Sequence, residues 1–304
     1  MKAFFVFLPL LLLSQSAYAV TVLTSIKPLQ LIASAITQGG PAPDLLLSPG
    51  NSPHDYALRP SDVRRIKKAD LVLWVGPELE ASLGSLLAEQ PNSLTLMTKI
   101  TPDEHEHNDE HEAHNTDKII IEHQDHAHDH STQDTHLWLD PHHAGTIAQL
   151  LADRLIELDP DNIARYQDNL AAFSSQLSET DQQVAAKLAP VADIGYFVFH
   201  DAYGYWERHY QLAKLGHFTV NPARAPGAKT VSSIHHALRQ SQAQCVFAEP
   251  QFKPAVVEAV MRNTQARIGV LDPLASNIEP GPNSYFAFMH ELADAMKDCL
   301  LNKP

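Results

Sequence analysis

The chain is poor in cations, in cysteine and in catalytic signatures. Its 304 residues carry 22 Lys and Arg against 36 Asp and Glu, a formal charge of −14. That balance argues against nucleic acid or an anionic membrane as partner. Beyond the N-terminus no apolar run approaches the ~20 residues a bilayer span requires. There is no His-Glu-x-x-His helix, no Gly-x-Ser-x-Gly elbow and no Gly-rich phosphate loop, so the expectation is that the protein is not an enzyme.

What is present begins with an export signal. Met1-Lys2-Ala3 supplies one positive charge, Phe4 to Leu13 is apolar, and Ala17-Tyr18-Ala19 gives the small-residue pattern of a cleavage site. Cleavage is expected after Ala19, leaving a protein that diffuses freely in the periplasm. The apolar run is too short for an anchor, and no Cys stands at the cleavage point for lipid attachment. In an exported chain the two cysteines, Cys245 and Cys299, favour a disulfide over a pair of metal ligands, since neither has a second Cys at short spacing.

From residue 20 onward short apolar runs alternate with amphipathic stretches. Val20 to Ile26, Leu45 to Leu47 and Leu71 to Val75 read as strands, with helices over Pro28 to Thr37, from Pro60, and over Glu78 to Glu89. A second series follows, with strands at Ile194 to Phe199, Phe218 to Val220, Cys245 to Ala248 and Ile268 to Leu271. Its helices are expected over Ala202 to Leu212, Val231 to Gln242, Ala255 to Gln265 and Tyr285 to Leu301. Such alternation predicts two parallel α/β lobes, 20–159 and 190–304. Between them Ile163, Tyr166, Leu170, Phe173, Leu177, Val184 and Leu188 form one helical stripe. The expectation is one long rigid linking helix over 160–189, capped by Asp159 with Pro160 in its first turn.

The segment 103–131 is of another composition. It holds eight histidines, His105, His107, His111, His114, His123, His126, His128 and His130, with ten carboxylates and the single cation Lys118. Few apolar residues and no periodicity predict a disordered loop, and the composition predicts loose metal contact. A tight site needs donors fixed by regular structure. Three histidines meet that need: His54 in a turn after a strand, His136 directly after the His-rich segment, and His200 at a strand end. In open α/β sheets ligands bind beyond the carboxyl ends of strands. Three histidines with one open position also describe a catalytic zinc, a reading set aside because the enzyme motifs are missing. An exported protein that sequesters zinc, or an adhesin that carries it, would share the same site.

Ser52-Pro53-His54-Asp55-Tyr56, Thr135-His136-Leu137-Trp138-Leu139-Asp140-Pro141, Phe197 to Tyr205, Phe247 to Phe252 and Leu271-Asp272-Pro273-Leu274 together resemble the zinc-uptake solute-binding proteins of ABC transporters, the ZnuA type within the cluster A-I metal binders. The resemblance covers essentially the whole mature chain. It implies two lobes with Zn2+ in the cleft between them, held by His54 and His136 from the first lobe and His200 from the second. Asp272 matches the place of a carboxylate ligand in related metal binders, although it could equally cap a turn, with Glu249 or water as the other choices for the fourth position. His217 is a candidate auxiliary ligand together with the His-rich loop. The implied partners are an inner-membrane ABC permease and its cytoplasmic ATPase, served by a monomeric carrier. Proton competition should weaken zinc binding as pH falls toward and below ~6.5.

Overall fold

Apolar runs set between amphipathic stretches fold as two all-parallel sheets. The computed structural model describes residues 20–88, 90–100, 133–219, 227–240, 243–252 and 255–301; the expected signal peptide and the His-rich segment 103–131 lie outside the described residues. Among the described residues no helix is long and apolar enough to cross a membrane.

The first lobe runs β1 (Val22–Thr24), α1 (Lys27–Ile36), β2 (Asp44–Leu45), α2 (Pro60–Lys68), β3 (Leu71–Trp74), α3 (Ala81–Leu87) and β4 (Ser93–Thr95). Its strands pair in the order β2-β1-β3-β4. Every residue of β1 and β3 is buried, as expected for central strands of a parallel sheet covered on both faces, and this explains their unbroken apolar runs. The sequence pattern does not single out β4, whose Ser93-Leu94-Thr95 offers one buried apolar side chain.

A second element absent from the sequence expectation is α4 (Pro141–Leu158). The Asp140 carboxylate accepts from the N–H groups of His142 and His143 at 2.7 and 3.1 Å, and Pro141 occupies the first turn. Ala144, Ile147, Ala148, Leu151, Ala152 and Leu155 are its buried face.

The long helix α5 (Ile163–Leu188) follows a separate turn at Pro160–Asn162. Asp159 does not cap it. The Asp159 carboxylate instead accepts from Asn162 Nδ2 at 2.9 Å and the Tyr166 hydroxyl at 2.8 Å, so the helix starts about one turn later than Pro160 suggests. At 26 residues it is about 39 Å long. Tyr166, Phe173, Leu177, Val184 and Leu188 are buried on its stripe, whereas Ile163, its first residue, is exposed. Near its start Asn169 Nδ2 donates to the carbonyls of Ile36 and Gln38 in the first lobe, both at 2.9 Å. Further along, Phe173 packs on Phe286 and Lys187 pairs with Asp294 at 2.7 Å. One helix therefore anchors both halves.

The second lobe runs β5 (Tyr196–His200), α6 (Gly204–His209), β6 (Lys214–Thr219), α7 (Ala228–Gln240), β7 (Cys245–Ala248), α8 (Ala255–Met261), β8 (Arg267–Val270) and α9 (Ser284–Leu301), with strand order β6-β5-β7-β8. Strand β5 alternates as a strand must. Tyr196 and Val198 join the large core, while Phe197 and Phe199 enter a separate cluster with Phe218, Ile234 and Val260. Cys245 and Cys299 are joined by a disulfide that ties β7 to α9.

Candidate metal site

Each of the three histidines is placed by a different local device. His54 lies in the turn Pro53–Asp55, where the Ser52 hydroxyl accepts from its backbone N–H at 3.3 Å and buried Pro53 starts the turn. His136 precedes the turn Leu137–Leu139; its backbone N–H and its Nδ1 both lie on Asp134 Oδ1, at 3.0 and 2.8 Å. His200 is the last residue of β5 and only 3% exposed. The two lobes thus present imidazoles at one place, beyond the carboxyl ends of their parallel strands.

The three rings converge. His200 stands 5.0 Å from both His54 and His136 between ring centroids, and His54 is 5.7 Å from His136. One ring nitrogen from each lies within 4.8 Å of the other two. Two nitrogens on one tetrahedral zinc would be about 3.3 Å apart, given bonds of about 2.0–2.1 Å, so a slight inward movement closes the set on a single ion. His54 Nε2 and both nitrogens of His200 are buried with no hydrogen-bond partner. Orphaned donors and acceptors of this kind cost about 1–3 kcal/mol each unless something binds them. A cation fits that vacancy of partners.

Electrostatics favour reception of a cation. Burial, reinforced by neighbouring His136 and His200, lowers the His54 pKa from 6.5 to about 3. A neutral imidazole is the form that ligates, so proton competition at His54 begins far below the pH of ~6.5 that an unperturbed histidine would suggest. Glu249, just past β7 and 5% exposed, places Oε1 3.5 Å from His200 Nδ1. Tyr203 donates its hydroxyl to the same oxygen at 3.3 Å. Burial and then Glu249 hold the Tyr203 pKa well above its ordinary value, which keeps it a donor.

Asp272 sits apart from this cluster of nitrogens. Its carboxylate accepts from the N–H groups of Leu274 and Ser276, at 3.1 and 2.6 Å, and from Gln251 Nε2 at 2.6 Å, the behaviour of a turn cap. Glu249, not Asp272, lines the cleft with the histidines, beside Trp138, Phe252 and Leu274. His217, on β6, lies on the Asp201 carboxylate at 3.3 Å with about a third of its side chain exposed, outside the three-ring cluster. Sequence reasoning passed over Asp134 and Trp138. Their signals were present: an Asp two residues before a candidate ligand, and a Trp directly between His136 and Asp140. Trp138 is fully buried, donates from Nε1 to the Pro273 carbonyl at 2.7 Å, and its own carbonyl accepts from the Tyr285 hydroxyl at 2.7 Å. It bolts the first-lobe turn to the second lobe.

Two parallel α/β lobes bridged by a long helix, with three imidazoles from both lobes converging on one point, define a cleft-type metal-binding protein. The chain belongs to the ZnuA family, zinc-uptake complex component A, periplasmic, whose family model matches residues 22–299. The high-affinity zinc uptake system protein ZnuA of Yersinia pestis is 44% identical over 295 residues, covering 92% of this chain and 91% of that protein. The corresponding protein of Haemophilus ducreyi is 39% identical over 300 residues, with 92% and 93% covered. A crystal structure of ZnuA superposes with a TM-score of 0.71 at 26% identity, covering 92% of this chain and all of that one.

Proposed function

We propose that this protein binds Zn2+ tightly in the periplasm and delivers it to an inner-membrane ABC permease driven by a cytoplasmic ATPase, without itself performing catalysis. His54, His136 and His200 are the ligands. The observation that carries this reading is the convergence of three imidazoles from both lobes, with buried nitrogens of His54 and His200 that have no hydrogen-bond partner. An all-imidazole set is suited to zinc over the hard cations that prefer oxygen ligands. Glu249, the carboxylate that lines the cleft with the three histidines, takes the fourth position directly or through water, while Asp272 is held by its turn.

Cargo is held when the lobes meet and released when they part. A small separation withdraws His200 from His54 and His136 and breaks the Trp138 to Pro273 bond. Because α5 is anchored in both lobes, this motion is a slight tilt. The signal peptide is cleaved after Ala19, and the His-rich segment with His217 gathers zinc weakly alongside the tight site.

Protein purified without a histidine tag and analysed for metal should carry one tightly held zinc per chain. A strain lacking the protein should grow poorly only when zinc is scarce. Isolation with another metal, or growth indifferent to zinc supply, overturns the reading.

A further inference from the structure

Asp134 stands between His136 and the opposite lobe. On one side, its Oδ1 receives the backbone N–H of His136 at 3.0 Å and faces His136 Nδ1 at 2.8 Å. A carboxylate oxygen only accepts, so Nδ1 carries the proton and the bare lone pair is on Nε2. On the other side, the Asp134 carbonyl accepts from the Tyr205 hydroxyl at 3.2 Å. Its Oδ2 presses on Gly204, the first residue of α6, so closely that a methyl group there would lie 2.8 Å from it. The Tyr205 ring meets His143 of α4 edge-on, 4.7 Å between centroids, and the Arg208 guanidinium lies over it at 4.8 Å.

We infer that Asp134 is a positioning residue that fixes the orientation and tautomer of His136 and couples both to closure of the second lobe through Gly204 and Tyr205. This rests on the proposed reading of the histidines as zinc ligands. One short side chain holds His136 by one oxygen and meets α6 with the other, so it cannot yield on one side without moving on the other. Gly204 has no backbone need for glycine, its φ lying outside the left-handed region. A methyl group there would meet Asp134 Oδ2 most closely and the Arg208 guanidinium next, at 3.2 Å. As α6 withdraws, the Tyr205 bond and the Gly204 contact are lost and His136 is freed to turn. Zinc release thereby gains a second step beyond the departure of His200.

The test compares wild type, Asp134→Ala, Asp134→Asn, Gly204→Ala and the Asp134→Ala/Gly204→Ala pair by zinc competition titration and stopped-flow dissociation. Asp134→Ala should bind zinc about 10- to 100-fold more weakly, the range seen for partners that orient a ligating histidine. Asp134→Asn, whose amide oxygen accepts the same two N–H groups, should recover most of that loss. Gly204→Ala should raise the dissociation rate in the wild-type background and have no further effect in Asp134→Ala, a non-additivity diagnostic of direct coupling. Nitrogen-15 NMR of the metal-free protein should show His136 as the Nδ1–H tautomer, lost in Asp134→Ala.

Wild-type zinc affinity and an unchanged tautomer in Asp134→Ala would overturn the inference, as would additive effects of the two substitutions. A wild type that binds no zinc would instead remove the proposed function. The tautomer measurement on metal-free protein would still decide the role of Asp134.

Discussion

Acidifying the metal-free protein tests whether the cleft is built to keep its imidazoles neutral. Burial, and then His136 and His200, lower His54 from 6.5 to about 3. In the unfolded chain the same ring titrates near ~6.5. Between those two values the unfolded state binds the extra proton, so stability is intact above 6.5 and falls as pH falls toward 3. The gap of roughly 3.5 pH units, at about 1.36 kcal/mol per unit, amounts to at most about 5 kcal/mol. That is a large share of the ~5–15 kcal/mol that holds a typical protein folded. The assay is urea unfolding of metal-free wild type and His54→Gln at successive pH values. The two stability curves should run parallel above pH ~6.5 and diverge by about 2–3 kcal/mol by pH ~4.5, the wild type falling faster. Equal slopes throughout would refute the claim that the cleft resists charging of His54.

Glu80, 1% exposed, accepts from the Gly76 N–H at 3.0 Å, and burial raises its pKa from 4.5 to about 7. A raised folded-state pKa means stability is full below 4.5 and is lost as pH rises through 7. Metal-free wild type should therefore lose about 3 kcal/mol relative to Glu80→Gln between the two, measured by chemical denaturation; identical pH profiles would contradict it. The Cys245 to Cys299 disulfide closes a separation of 54 residues, so the double Cys→Ser variant should lose about 4 kcal/mol on the chain-entropy relation. Its zinc affinity should hold, because Cys245 begins β7 and the cleft lies past the strand's other end. An unchanged unfolding midpoint would show that the bond is dispensable.

The lobes and the three histidines were legible because their signals are local. Unbroken apolar runs such as Leu71–Trp74 belong to buried parallel strands, and a stripe from Tyr166 to Leu188 belongs to one helix. Helix α4 was missed although Asp140-Pro141 is a start signal, because its alanines dilute the apolar stripe. The Asp159 cap failed for a reason that sequence spacing does not carry: Tyr166 and Asn162, a turn or two along, claim its oxygens. The role of Asp134 depends on the distant Gly204 and Tyr205, which only the folded chain brings to it. Asp272 shows the same limit from the other side. A strand-end carboxylate reads as a ligand or a cap with equal ease until its neighbours' N–H groups are seen on it.

The central claim is that one zinc ion is held by His54, His136 and His200 together. Competition titration of the untagged wild type and of His54→Ala, His136→Ala and His200→Ala, each checked for native circular dichroism, tests it most directly. The wild type should hold one tight zinc and every variant should lose tight binding, because each removes one neutral donor from a set of three. Wild-type affinity in any one folded variant would take that histidine out of the site and contradict the account.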